Sequence, residues 1–170
     1  MPKVIEGVRE SILSFVRESV KKGENPTIEK IARHCGIANG TVFNYFPSKD
    51  MILATVILED WTAIFAHMEK KLPAANKGEG LDFFYESLKG FCKKYKEIWA
   101  SSYSDKGVQS ALQKRHVPLR DQVGALLKQI LPSLSEALYP ILAETLLLLA
   151  RDDSLSYPVW KEATLSLLTK

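Results

Sequence analysis

Apolar positions recur at three- and four-residue spacings along most of the chain, and no stretch alternates with the two-residue period of a strand. An all-α fold is expected. Ile5, Val8, Ile12, Phe15, Val16 and Val20 lie on one side of a first helix over residues 4–22, with charged residues between them and Gly23 to end it. Pro26 sets an extended entry to a second helix over 28–34. A turn at 35–37 leads to a third helix over 39–45, closed by Pro47. Ser48 is placed to cap a long helix over 49–72, where Ile52, Val56, Trp61, Phe65, Met68 and Leu72 keep one side apolar for about six turns. After a loop marked by Pro73, Asn76, Gly78 and Gly80, a helix over 81–101 carries the stripe Phe84, Leu88, Phe91, Tyr95 and Trp99. Pro118 is expected to separate a short helix over 108–115 from another over 119–131. The helix over 138–150 must hold Pro140 near its start, because an interior proline costs about 3 kcal/mol, and a last helix spans 159–168.

The segment TIEKIARHCGIANGTVFNYFPSK, residues 27–49, has the spacing of a helix-turn-helix. Two short helices crossing at a tight turn need a small residue where they touch, a residue tolerant of positive φ in the turn, and a branched apolar residue locking the second helix to the first. Ala32, Gly36 and Val42 supply them. Ile28, Ile31, Cys35, Ile37, Val42, Phe43 and Phe46 are expected to form the buried face. Thr27 can cap the first of these helices, although Lys30 stands where a capping box has Glu.

The run CGIANGTVFNYFPSKDMIL resembles the signature of the TetR family of transcriptional regulators, A-G-V-S-x-G-T-[LIV]-Y-x-[HY]-F-x-[SN]-K-x-x-[LI], and the resemblance extends over about residues 5–58. It implies an N-terminal three-helix DNA-binding domain over 1–47. The long helix would join this to a C-terminal helical ligand-binding and dimerisation bundle over 48–170. Three positions depart from the family pattern. Ala38 replaces the usual Ser or Thr cap of the recognition helix, leaving Asn39 as a substitute. Phe43 replaces a Tyr whose hydroxyl touches phosphate in relatives, and residues 22–26 form a plainer lead-in than the usual glycine-aromatic-threonine.

A major groove about 12 Å wide admits one helix, and its base edges display distinguishable donors and acceptors. Asn39, Thr41 and Asn44 are therefore the candidate readers, with Asn44 suited to an adenine edge. Gly40 lets the backbone approach, and Thr41 offers a hydroxyl and an amide to phosphate. Tyr45 and Lys49 match family positions that contact phosphate, and Ser48 lies at a helix N-terminus able to hold a phosphate oxygen. Thr27 and Lys30 are further candidate contacts, with a cap alone as the alternative role of Thr27. Phe43 and Phe46 are read as packing.

One recognition helix reads few base pairs, so a two-fold dimer placing two of them about 34–36 Å apart is expected. Leu138, Ile141, Leu142, Thr145, Leu149, Trp160, Ala163 and Leu167 carry apolar surface that would serve as its interface; burial within one chain is the alternative. Trp61, Phe65, Phe84, Leu88, Phe91, Tyr95, Trp99 and Tyr103 read as ordinary core by pattern. In relatives this region encloses an inducer pocket, and these residues would suit a small apolar or aromatic effector.

Composition narrows the classes without choosing among them. The chain has 170 residues, 46% hydrophobic and 25% charged, values usual for a globular protein. Its net charge of +3 permits a nucleic-acid partner but does not identify one. The longest apolar run, 146–150, is far short of the ~18 to 20 residues of a membrane helix, and the N-terminus has no signal-peptide core, so a cytoplasmic protein is expected. Cys35 and Cys92 read as buried reduced thiols. The three histidines are far apart and no metal, phosphate-loop or nucleophile-elbow pattern occurs, so neither an enzyme nor a metal or cofactor site is expected. An effector-independent DNA-binding accessory protein would carry the same reader and stands as the alternative to a ligand-responsive repressor.

Overall fold

A computed structural model describes residues 6–72, 76–98 and 106–168, with backbone alone over 106–116. The described residues are helical, with no strand among them. The helices are α1 (Val8–Lys21), α2 (Ile28–Cys35), α3 (Asn39–Tyr45), α4 (Lys49–Lys71), α5 (Lys77–Lys94), α6 (Lys106–Ile130), α7 (Leu138–Arg151) and α8 (Tyr157–Ser166). They cluster into two compact units. The first comprises the described residues up to 63 with those of 94–108, and the second those of 64–93 with 109–168.

In the first unit α1 packs on α2 and α2 on α3. Ile12, Leu13, Val16 and Val20 of α1, Ile31 and Ala32 of α2, Val42 of α3, Phe46, and Ile52, Leu53, Val56 and Trp61 of α4 are buried. Local signals set the ends as expected. The Thr27 hydroxyl accepts from the Lys30 amide at 3.3 Å, and the Ser48 hydroxyl from the Met51 amide at 3.2 Å. Gly36 takes φ 65°, and the Ile37 amide reaches back to the Ala32 carbonyl at 3.0 Å, closing α2 in the glycine-ended manner. Any other residue at Gly36 would strain this corner.

Asp60 ties three parts of the first unit together. Its carboxylate accepts from Arg17 Nε of α1 at 2.7 Å, from Lys94 Nζ, and from the Tyr95 hydroxyl at 2.6 Å. Arg17 also reaches Glu59 at 2.7 Å. Burial works against the Asp60 charge, but the bonds from Lys94, Tyr95 and Arg17 outweigh it and hold the carboxyl below its usual range. The same environment, burial first and then the bond to Asp60, pushes the Tyr95 phenol far up.

In the second unit Leu81, Phe84, Tyr85, Leu88 and Phe91 of α5, Val123, Leu126, Leu127 and Ile130 of α6, and Tyr139, Leu142, Ala143, Leu146 and Leu149 of α7 are buried. The Tyr139 hydroxyl donates to the Leu131 carbonyl at 2.8 Å. Asp82 of α5 accepts from Tyr157 at 2.9 Å and Lys161 at 2.7 Å, both of α8, while the Tyr85 and Tyr157 rings stack at 3.8 Å.

Several boundaries differ from those the pattern suggests. Pro118 does not divide two helices; α6 runs through it. The proline is exposed, so the backbone bond it forfeits is open to water instead of a dry core. Helix α5 starts earlier, because the Asn76 side chain accepts from the Glu79 amide at 2.9 Å, and a turn at Tyr95 ends it before 101. Helix α8 starts at Tyr157 with Pro158 in its first turn, a position that suits proline. The cysteines are free thiols but only half-buried. Burial pushes the Cys92 thiol up to about 11, which keeps it protonated and unreactive near neutral pH. Averaged over eighteen residues, α4 is apolar enough to cross a membrane even though it has no long uninterrupted run. Its buried Ile52, Val56, Trp61, Phe65 and Met68 account for that as the core face of a protein helix.

Candidate nucleic-acid interface

Helix α3 has three sides, and each follows from its register at roughly 100° per residue. Val42 and the following Phe46 point into the unit and are buried. Thr41 and Tyr45 flank them, half-buried. Asn39, Gly40, Phe43 and Asn44 share the remaining arc, and all four are exposed. The candidate readers thus stand on or beside one open helix face. Phe43 is a correction: it is 49% exposed and does not pack in the core. Its register, one residue past buried Val42, places it with Asn39 and Gly40, which a helical projection of the sequence would have shown.

Asn39 is also not the cap. Ala38 is the extended residue before the helix, its carbonyl accepts from the Thr41 amide at 2.9 Å, and no side chain caps α3. The tight turn after Gly36 brings Ala38 to the boundary and leaves Asn39 inside the first turn, its amide group free of that duty.

Gly40 is not required by the fold. A Cβ built there meets nothing within 4 Å, and its φ is not in the left-handed region. Glycine within a helix costs roughly 0.5–1 kcal/mol relative to alanine, so its use here is best explained by what approaches from outside. Gly40→Ala is expected to raise stability by up to about 1 kcal/mol while lowering DNA affinity, measured by thermal unfolding and duplex titration on the same preparation.

Around α3, Thr27 and Lys30 are exposed and Ser48 and Lys49 half-buried. The Lys49 amine donates to the Asn25 side chain at 2.8 Å, linking the start of α4 to the loop before α2. Arg33 pairs with Glu29 at 2.8 Å on the exposed side of α2. Phe15 of α1 stacks on His34 of α2 at 4.1 Å, and Arg9 lies over the Phe46 ring. These contacts brace the helices behind α3.

The candidate effector residues divide between the units. Trp61 and Tyr95 are buried in the first; Phe65, Phe84, Leu88 and Phe91 are buried in the second. Trp99 and Tyr103 lie outside the described residues. Two surface depressions, one at Ala66, His67, Glu69 and Lys70 and one at Val159, Glu162, Ala163 and Ser166, are open to solvent and touch none of these aromatic residues.

The candidate interface residues also separate. Leu142 and Leu149 belong to the core of their own chain, at 8% and 4% exposure. Leu138, Thr145 and Trp160 are half-buried, and the Trp160 indole donates to the Thr145 hydroxyl at 2.8 Å, joining α8 to α7. Ile141, Ala163 and Leu167 are exposed, as are Leu148 and Val159, which the pattern had not singled out.

Residues 20–56 match the family model for "Bacterial regulatory proteins, tetR family". No curated protein matches the chain in sequence. Among solved structures, Salmonella enterica GusR is similar in fold, with a TM-score of 0.71 and 17% identity over 99% of each chain. FadR from Bacillus subtilis, described as a transcriptional regulator in complex with stearoyl-CoA, has a TM-score of 0.56 and 17% identity over 94% of this chain and 95% of its own. Residues 20–56 thus carry the helix-turn-helix that the tetR-family model describes, and the chain shares its fold with these two solved structures along nearly its whole length.

Proposed function

We propose that the protein is a cytoplasmic homodimeric repressor, released from its operator by a small apolar or aromatic effector. Residues 1–47 form the DNA-binding domain and 48–170 the regulatory and dimerisation domain. The open face of α3 carries this reading: Asn39, Gly40 and Asn44 are exposed together, with Thr41 and Tyr45 at its margin. Asn44 hydrogen-bonds a base edge, Gly40 admits the backbone to the groove, and Thr27, Lys30, Thr41, Tyr45, Ser48 and Lys49 serve the phosphates. Titration of a labelled duplex from upstream of the protein's own gene is expected to show saturable binding that weakens steeply with salt, far tighter than to a random duplex. Equal affinity for both duplexes would refute the reading.

Two exposed apolar stripes support dimerisation. Ile141 and Leu148 lie two turns apart on α7 at 59% and 50% exposure, and Val159 of α8 and Leu167, just past its end, are 65% and 39% exposed. A four-helix contact across a two-fold axis would cover both. Sedimentation equilibrium at micromolar concentration is expected to give twice the chain mass for the native protein and a single chain for Ile141→Asp with Val159→Asp. A native monomer would remove the dimer from the account.

The effector reading rests on the aromatic, charge-poor set Phe65, Phe84, Leu88 and Phe91 of the second unit. It is supported by the similarity to FadR, which binds an acyl-CoA. Ligand binding would act by favouring one of two conformations with different operator affinity.

A further inference from the structure

The exposed face of α3 includes one residue that hydrogen bonding to DNA does not explain. Phe43 presents about half of its surface to solvent among Asn39, Gly40 and Asn44. A phenyl ring donates and accepts no conventional hydrogen bond, so it can hold neither a phosphate nor a polar base edge. What it gains on binding is burial of apolar surface. In the major groove the one apolar group that a base displays is the C5-methyl of thymine. The neighbourhood favours such a contact: Gly40, one turn before Phe43, has no side chain, and the space a Cβ would take there is open.

We propose that Phe43 is a specificity-determining residue whose ring covers a thymine methyl in each half-site, beside the base read by Asn44. The inference rests on the DNA-reading role proposed for α3. It implies that an A·T pair at that step is selected by its methyl group and not only by its hydrogen-bonding edge.

Uracil differs from thymine only in lacking the methyl, so the test is a uracil scan. Duplexes enriched from a random pool by the native protein are remade with each thymine replaced singly by uracil, and affinities are measured for the native chain, Phe43→Ala and Phe43→Leu. The native chain is expected to lose about fourfold at one thymine in each half-site, the worth of one buried methyl group. Phe43→Ala should bind the thymine duplex more weakly and no longer distinguish it from uracil, whereas Phe43→Leu should keep part of the discrimination. Because Phe43 is exposed, unchanged thermal unfolding of both variants is expected to accompany these results.

If no uracil weakens the native chain, or if Phe43→Ala remains as sensitive as the native chain, the methyl contact is wrong although DNA reading stands. A ring packed against deoxyribose would give that second result. If the pool yields no enriched duplex at all, the reading role of α3 fails and this inference with it.

Discussion

Asn44→Ala is expected to erase roughly 1–3 kcal/mol of discrimination between the operator and a random duplex, while leaving random-duplex affinity nearly unchanged. The expectation follows from the placement of the side chain. Asn44 is exposed at mid-face on α3, with Gly40 beside it and no described intramolecular role in the fold, so its loss leaves Val42 and Phe46 packed as before. An amide can give and take a hydrogen bond at an adenine edge, and alanine can do neither. Lys49→Ala provides the contrast. It removes a cation beside the duplex, so it should weaken both duplexes alike and reduce the salt slope by about one. Loss of the Asn25 contact is a local consequence that unfolding curves would register separately. An Asn44 variant that lost operator and random duplex equally would assign this residue to the phosphates.

Asp60→Ala is expected to lower stability by about 2 kcal/mol at neutral pH. The carboxylate is only 16% exposed and accepts from Arg17, Lys94 and Tyr95 together. Its removal leaves two cations and a hydroxyl without their common acceptor, a larger loss than that of a surface pair. Arg17 and Lys94 are themselves about one-third exposed, and water there screens part of the effect, which keeps it below the cost of a fully buried pair. The sign of the pH dependence is fixed by the direction of the shift. Because the folded carboxyl lies below its ordinary value of 3.8, its contribution is complete above that pH and declines as pH falls through the lower folded value. The stability difference between native protein and Asp60→Ala should therefore be constant from pH 7 to about 5 and shrink below about 4. Urea unfolding across that range measures it, and a difference that grew on acidification would contradict the arrangement. Since α1 supports α2, and α2 supports α3, the variant should also bind DNA less well as temperature rises.

The helix-turn-helix was legible because its signals are local. Thr27, Gly36 and Ser48 each act within a few residues, through a cap or a positive φ, and α2, α3 and α4 begin where those residues place them. Local signals mislead where two of them compete. Asn39 has the chemistry of a cap, but the turn geometry gives that position to Ala38. Phe43 has the chemistry of a core residue, but the register belongs to Val42 and Phe46.

Distant relations were not legible. Nothing in the spacing of Arg17, Asp60, Lys94 and Tyr95 shows that they meet, because charged residues at helical spacing ordinarily face water. Helix α7 was ambiguous for another reason. It is apolar on nearly every side, so periodicity alone does not tell the stripe with Leu142, Leu146 and Leu149, which is buried, from the stripe with Ile141 and Leu148, which is open. Pro118 misled in the opposite sense, since proline's general cost says little about an exposed position in a long helix.

The most direct test of the open α3 face as a DNA reader is sequencing of the duplexes retained by the native protein from a random pool, with the Asn39→Ala, Asn44→Ala double variant run in parallel. An inverted repeat with half-site centres about 10–10.5 base pairs apart, or a whole multiple of that, is the predicted result for the native chain, and its loss or relaxation for the variant. Retention without any preferred sequence, or the same repeat from both proteins, would contradict it.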